Sequence, residues 1–285
     1  MSGLPEPPPL GATPLAAGLY DGHVVLVTGG GTGLGKGVAV EFARLGATVV
    51  IASRNAEHHA AGVAAVEELG GRAVAVACDV RDADAVAAAF DEAEHAVGLP
   101  TVLINNAAGN FPVAAEELSP NGWRAVTQIV LDGTFFCSRE FARRHIAAGT
   151  GGSVVNIGAS YAWTGGPGFA HSAAAKAGVK NLTETLAVEW APYGIRVNYL
   201  VPGLFPHADE TADIQGVPGR GDAEEQRSPA LRTGRVRELG WAAAYLCSPY
   251  AAYITGATLT VDGANWQRRA MTQPPFTPIS EQLGS

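Results

Sequence analysis

The stretch HVVLVTGGGTGLG, His23 to Gly35, constrains the fold more than any other. A short β-branched run stops on glycines and passes straight into a helical pattern, which predicts a buried parallel strand feeding a helix. The same unit recurs along the chain. Thr48–Ser53 (TVVIAS), Ala73–Cys78 (AVAVAC), Thr101–Asn106 (TVLINN), Ser153–Gly158 (SVVNIG), Arg196–Gly203 (RVNYLVPG) and Thr258–Gly263 (TLTVDG) complete a set of seven strands. Helical patterns lie between them, among them Gly35–Leu45, Asp84–Val97, Gly122–Ala148 and Ser172–Ala191. Strands joined by crossover helices predict an α/β fold, a single doubly wound parallel sheet flanked by helices, with ligands at the carboxyl ends of the strands.

No linker divides residues 21–266, which are expected to form one domain. The proline-rich residues 1–20 read as a flexible arm and 267–285 as a tail. A Gly-, Pro- and charge-rich segment within about 204–236 reads as a substrate lid, because long loops inside compact domains are commonly functional. The chain is 47% hydrophobic with a formal net charge of −8, which argues against nucleic acid as a general partner. It leaves room for an anionic cofactor held by local amides and arginines. Three cysteines, Cys78, Cys137 and Cys247, lack metal-ligand spacing and fit a reducing, cytoplasmic setting. No apolar run approaches the roughly 20 residues that span a bilayer, so no membrane role is expected. Prolines near the start interrupt the apolar stretch a signal peptide needs.

The glycine-rich turn is the candidate nucleotide site. Gly29, Gly31, Thr32, Gly33 and Leu34 lie where backbone approaches a pyrophosphate and a helix N-terminus offers its amides. An acidic residue ending the second strand would hold the ribose hydroxyls of NAD. Ser53 and Arg54 stand there instead, and a guanidinium suits a 2′-phosphate, so NADP(H) is the expected cofactor. Asp79 and Val80 end the third strand, where Asp79 is expected to meet the adenine. Asn106 and Ala107 end the fourth, where small residues let backbone lie along the cofactor.

The motifs TGGGTGLG, NNAAG, the helix bearing Lys176, VPG (Val201–Gly203) and YITGATLTVDGA, in that order, resemble the short-chain dehydrogenase/reductase superfamily over about residues 20 to 265. The resemblance implies a single Rossmann-like domain of seven strands, commonly assembled into homotetramers. It also implies Pro202, Gly203 and Phe205 near the nicotinamide, with Lys176 on its ribose. Most members carry Tyr-x-x-x-Lys on that helix, with a serine thirteen residues before the tyrosine. This chain has Ser172 and Ala159 at those positions. The segment NIGASYAWTGGPGFAHSAAAKAGV, Asn156–Val179, resembles instead the 2,4-dienoyl-CoA reductases, in which a tyrosine follows the fifth strand. A serine and a lysine stand eleven and fifteen residues beyond it, as do Ser172 and Lys176 from Tyr161. NNAAGNF, CDVRD and LSPNGW extend the resemblance, which implies substrate contacts at Asn110, Phe111, Arg81 and Ser119.

The implied catalytic set is Tyr161, Lys176, Asn110 and Ser172. Reducing a ketone leaves a strongly basic alkoxide, whereas adding hydride to a conjugated dienoyl thioester spreads charge to the thioester oxygen. Two well-aimed hydrogen bonds, from Tyr161 and Asn110, then suffice in place of full proton transfer. An acyl-CoA partner also needs cationic anchors, for which Arg54, Arg81, Arg220, Arg227 and Arg232 are available. Asp132 stands where the superfamily commonly has asparagine, able to accept hydrogen bonds or, if buried, to titrate. Ala264 replaces a usual glycine. Two other readings stay open: an oxidoreductase of another activated alkene or a carbonyl, and a catalytically silent NADP-binding subunit.

Overall fold

The first strand, β1 (Val24–Thr28), is buried at every residue, and its alternate side chains supply two separate cores. The computed structural model describes residues 3–207 and 228–267, together with residue 281. After β1 come α1 (Gly33–Arg44), β2 (Thr48–Ser53), α2 (Ala56–Glu67), β3 (Arg72–Ala77), α3 (Ala83–Val97), β4 (Val102–Asn105), α4 (Pro120–Thr127) and α5 (Gly133–Ala148). The chain continues through β5 (Gly152–Ile157), α6 (Tyr161–Thr164), α7 (Ala170–Trp190), β6 (Ile195–Pro202), α8 (Val236–Cys247) and β7 (Thr258–Val261).

Val25, Val27, Val49 and Ile51 pack with Val38 and Phe42 of α1 and Leu239 and Ala243 of α8. Val24, Leu26, Val50 and Ala52 pack on the other face with Phe90 of α3, Phe141 of α5 and Leu186 of α7. Burying each such aliphatic or aromatic side chain stabilises the fold by about 1.5–3 kcal/mol over leaving it exposed. The seven strands run in the order β3-β2-β1-β4-β5-β6-β7, and every neighbouring pair is parallel. The chain therefore builds outward from β1 to β3 and then returns to lay β4 against β1. That reversal opens a crevice at the carboxyl ends of the strands.

A buried polar chain pins the helices beneath the crevice. The Asn105 side-chain amide donates to Asn156 Oδ1 and Ser138 Oγ, both at 2.8 Å. The Asn156 amide in turn donates to Thr183 Oγ1 at 2.9 Å. Strands β4 and β5 are thus joined to α5 and α7 by side chains as well as by packing.

Two expectations need correction. The continuous helix expected over Gly122–Ala148 is interrupted by a π-helical turn, Gln128–Asp132, between α4 and α5. Asp132 ends that turn exposed to solvent, so the burial that the conditional reading required is not met. The proline-rich segment, expected as a flexible arm, is bonded to the body of the domain. Leu4 N–H donates to the Ala230 carbonyl at 2.9 Å, and Glu6 pairs with Arg235 at 2.7 Å. Arg232 and Arg237 donate to the carbonyls of Pro5 and Pro8, each at 2.9 Å. Tyr20 is buried, donating from its hydroxyl to the Ala244 carbonyl at 2.5 Å.

Candidate active site

A cavity of about 850 Å³ lies at the carboxyl ends of β1 to β6. Its floor is the glycine-rich turn. Gly29 and Gly33 adopt φ of +64° and +51°, which side-chain-bearing residues rarely adopt. A Cβ on Gly29 would stand 3.1 Å from the Asn106 amide and 3.2 Å from Ala107 Cα. Thr28 Oγ1 accepts from Asn106 N–H and Ala107 N–H, each at 3.0 Å, locking the end of β4 onto the turn. Helix α1 then begins with no side-chain cap from Thr32 and no acidic residue in its first turn. This cradle of close backbone beneath a helix start fits a dinucleotide pyrophosphate.

Gly29, Thr32, Gly33, Leu34, Ser53, Arg54, Val80, Asn106, Ala107, Tyr161, Lys176 and Pro202 all line this one cavity. Other expected cofactor residues lie elsewhere. Gly31 is buried against α2, where a Cβ would meet the His58 carbonyl oxygen at 2.1 Å. Phe205, expected near the nicotinamide, is a core residue packed against Gly234. Gly203 packs on Asp262.

At the β2 end, Arg54 is exposed, with Nη1 3.9 Å from Asp79 Oδ2. Asp79 is taken up by Arg81 at 2.6 Å, and that bond holds its carboxyl below the usual range. Asp79 itself is absent from the cavity lining, although its neighbours Cys78 and Val80 belong to it. Arg81 is likewise engaged and does not line the cavity.

At the β5 end, Tyr161 opens α6, and its hydroxyl lies 3.0 Å from Ser172 Oγ on α7. The eleven-residue gap in sequence is closed by the loop between the two helices. Burial raises the pKa of Tyr161, and the Ser172 bond opposes it to a lesser degree. The phenol is therefore protonated at neutral pH. One turn along α7 from Ser172, Lys176 is 7% exposed, and its ammonium donates to the Ile157 carbonyl. Burial pushes its pKa down to about 8. Tyr161, Ser172 and Lys176 thus form one cluster on the cavity wall.

The remaining expected substrate residues flank this cluster without lining the cavity. Asn110 accepts its neighbour's Phe111 N–H at 3.1 Å through Oδ1, which leaves its NH2 as the donor end. The Phe111 ring packs edge-on against His171. Ser119 caps α4, accepting Gly122 N–H at 3.0 Å. Arg232 is paired bidentately with Glu238 at 2.8 Å, a structural bond in place of the anchor expected. Arg220 and Arg227 lie outside the described residues.

Three residues escaped sequence reasoning. His207 lines the cavity, its ring lying where a Cβ on Gly33 would approach to 2.9 Å. Tyr199, fully buried in β6, donates from its hydroxyl to the Lys176 carbonyl at 3.0 Å and accepts Ala159 N–H at 3.3 Å. Its ring fills the room beside Gly158, where a Cβ would come within 2.2 Å. An aromatic among the aliphatic residues of RVNYLVPG was the available signal. His171, beside Ser172, is fully buried.

The family model described as enoyl-(acyl carrier protein) reductase matches residues 29–264. The chain belongs to the short-chain dehydrogenase/reductase family, and is an oxidoreductase of that class. Within it, the chain is 42% identical over 246 residues to a Bacillus subtilis protein named probable 2,4-dienoyl-CoA reductase, (2E)-enoyl-CoA-producing, covering 85% of this chain and 96% of that one. It is 38% identical to the rat peroxisomal 2,4-dienoyl-CoA reductase, (3E)-enoyl-CoA-producing, covering 87% of this chain and 85% of that one. A gluconate 5-dehydrogenase from Burkholderia cenocepacia, solved with NADP and tartrate, superposes with a TM-score of 0.80 at 34% identity, covering 88% of this chain and 98% of that one.

Proposed function

We propose that this protein is an NADPH-dependent 2,4-dienoyl-CoA reductase that acts on acyl-CoA thioesters in unsaturated fatty acid breakdown, as a cytoplasmic homotetramer. The observation that carries the reading is the half-buried, protonated Tyr161 hydroxyl 3.0 Å from Ser172, with a cationic lysine lining the same cavity. A phenol whose pKa is raised is a poor proton donor but, being neutral, can still donate a hydrogen bond. That suits a delocalised dienolate better than the basic alkoxide of ketone reduction. The names of the Bacillus subtilis and rat relatives support the same substrate class.

NADPH, when bound, supplies the hydride. Gly29, Thr32, Gly33 and Leu34 receive the pyrophosphate, Arg54 the 2′-phosphate, and Lys176 the nicotinamide ribose. Tyr161 and Asn110 donate hydrogen bonds to the thioester oxygen as negative charge develops there. Ser172 orients the Tyr161 hydroxyl. A proton then reaches carbon from water or from a group beside Tyr161, and the carbon that takes it sets the position of the remaining double bond. NADP in the Burkholderia structure supports this choice of cofactor.

The test is a substrate panel. Purified protein with NADPH is expected to consume 2,4-hexadienoyl-CoA, with parallel loss of dienoyl and nicotinamide absorbance, and to leave simple ketones and gluconate untouched. Turnover of the ketones alone would overturn the dienoyl assignment. NADPH binding without any turnover would point to the silent subunit.

A further inference from the structure

The two hydrogen-bond donors proposed above sit on separate loops, Asn110 after β4 and Tyr161 after β5. Stabilising one oxygen requires these loops to keep a fixed separation. His171 touches both sides of that gap. On one side its Nδ1 accepts the Ser172 N–H at 2.7 Å, and Ser172 Oγ is the partner of the Tyr161 hydroxyl. On the other, its ring meets the Phe111 ring edge-on, with centroids 4.6 Å apart and planes at 76°. Phe111 N–H in turn holds Asn110 Oδ1. The imidazole is 0% exposed, so neither contact is shared with solvent.

The ring's chemistry suits this place. Accepting at Nδ1 requires that nitrogen to be unprotonated, which leaves the proton of the neutral ring on Nε2. Burial lowers the histidine's pKa and so favours the neutral ring, opposed to a smaller degree by a hydrogen bond with the Phe169 backbone. Nε2 is itself buried and has no partner of hydrogen-bonding geometry among the described residues. A side chain serving only as core filling would be better apolar, since a buried unpaired N–H is costly. The histidine is explained by what Nδ1 and the ring face hold.

We propose that His171 is a positioning residue of the reductase site, joining the Tyr161–Ser172 pair to the Asn110–Phe111 turn so that both donors meet the same thioester oxygen. This rests on the reductase reading above. The two loops are also tied by the backbone bond from Val113 N–H to the Gly168 carbonyl at 2.9 Å, which substitutions at 171 leave in place.

Two variants separate the two ties. His171→Phe keeps a ring against Phe111 and loses the acceptor. His171→Asn keeps an acceptor near the Nδ1 position and loses the ring. Each is expected to lower kcat for 2,4-hexadienoyl-CoA about tenfold or more, as misplacement of donors does, with NADPH affinity unchanged. The readout that a merely structural role would not move is the double variant. In a Tyr161→Phe background, His171→Phe is expected to cost less than about twofold more, because its effect is routed through the tyrosine. Wild-type kcat in either single variant, or losses that multiply in the double variant, would overturn the proposal. A wild-type protein that binds NADPH but never reduces the dienoyl thioester would remove the reductase reading and this one with it. Failure of the His171 variants in an active enzyme would remove this one alone.

Discussion

Lys176 shows how a single buried charge acts in opposite directions on activity and stability. Its pKa lies near 8 instead of the ordinary 10.5, because burial disfavours the ammonium. The cation proposed to hold the cofactor's ribose is present below about 8 and lost above it. We expect kcat/KM to fall as pH rises through about 8, and Lys176→Arg, whose guanidinium stays charged, to shift that limb out of range. Stability runs the other way. Between the depressed pKa and 10.5 the unfolded chain binds more protons than the folded one, so the cofactor-free protein gains stability as pH rises across that window. A urea-midpoint series against pH reads the sign directly. Ala264 is a second residue-scale case. It sits at φ +66°, where a Cβ is strained, and its N–H donates to Asp262 Oδ1 at 2.9 Å. Ala264→Gly is expected to stabilise by about 0.5–1 kcal/mol, measured as a raised denaturation midpoint. The Ala-for-Gly replacement was legible in the sequence, but its cost depends on a backbone angle that only the fold sets.

At the scale of elements, β6 supports the segment after β5 through Tyr199. The phenol fits between β5 and α7 only because residue 158 has no side chain. Gly158→Ala would drive a methyl into the ring and is expected to destabilise by about 1–3 kcal/mol. In a Tyr199→Ala background Gly158→Ala should cost less than it does alone, since the clash partner is gone; equal midpoints for Gly158→Ala and wild type would contradict the packing. The strands were legible because their signal is local: β-branched runs ended by glycine or asparagine. Observed ends differ from the expected ones by about a residue, as at β3, which starts at Arg72 and ends at Ala77. Two features were not legible. The π-helical turn before α5 leaves the apolar periodicity almost unchanged. The docking of Leu4 to Pro8 depends on Ala230, Arg232, Arg235 and Arg237, more than two hundred residues away, and no local pattern carries that.

Across the whole molecule, the strand reversal between β1 and β4 brings six strand ends to one cavity, and most of the expected nucleotide residues meet there. Phe205 misled because its place after VPG suggested the cavity, while the following chain turns it into the core beside Gly234. No helix among the described residues is long and apolar enough to cross a membrane. A ligand that binds only the folded state stabilises the whole domain, by about 2.7 kcal/mol at a hundredfold excess over Kd. Thermal unfolding should therefore shift upward with NADPH more than with NADH. Arg54→Asp should erase that difference, and equal shifts with both nucleotides in the unaltered protein would defeat the 2′-phosphate assignment.

The central claim is that the hydrogen-bond donor has moved from the α7 position now held by Ser172 to Tyr161. The most direct measurement is kcat for 2,4-hexadienoyl-CoA in wild type and Tyr161→Phe, with NADPH binding followed in parallel. Loss of an oxyanion donor is expected to lower kcat by on the order of 10²-fold with nucleotide affinity unchanged. An unchanged rate in Tyr161→Phe would contradict the account and take Tyr161 out of the chemistry.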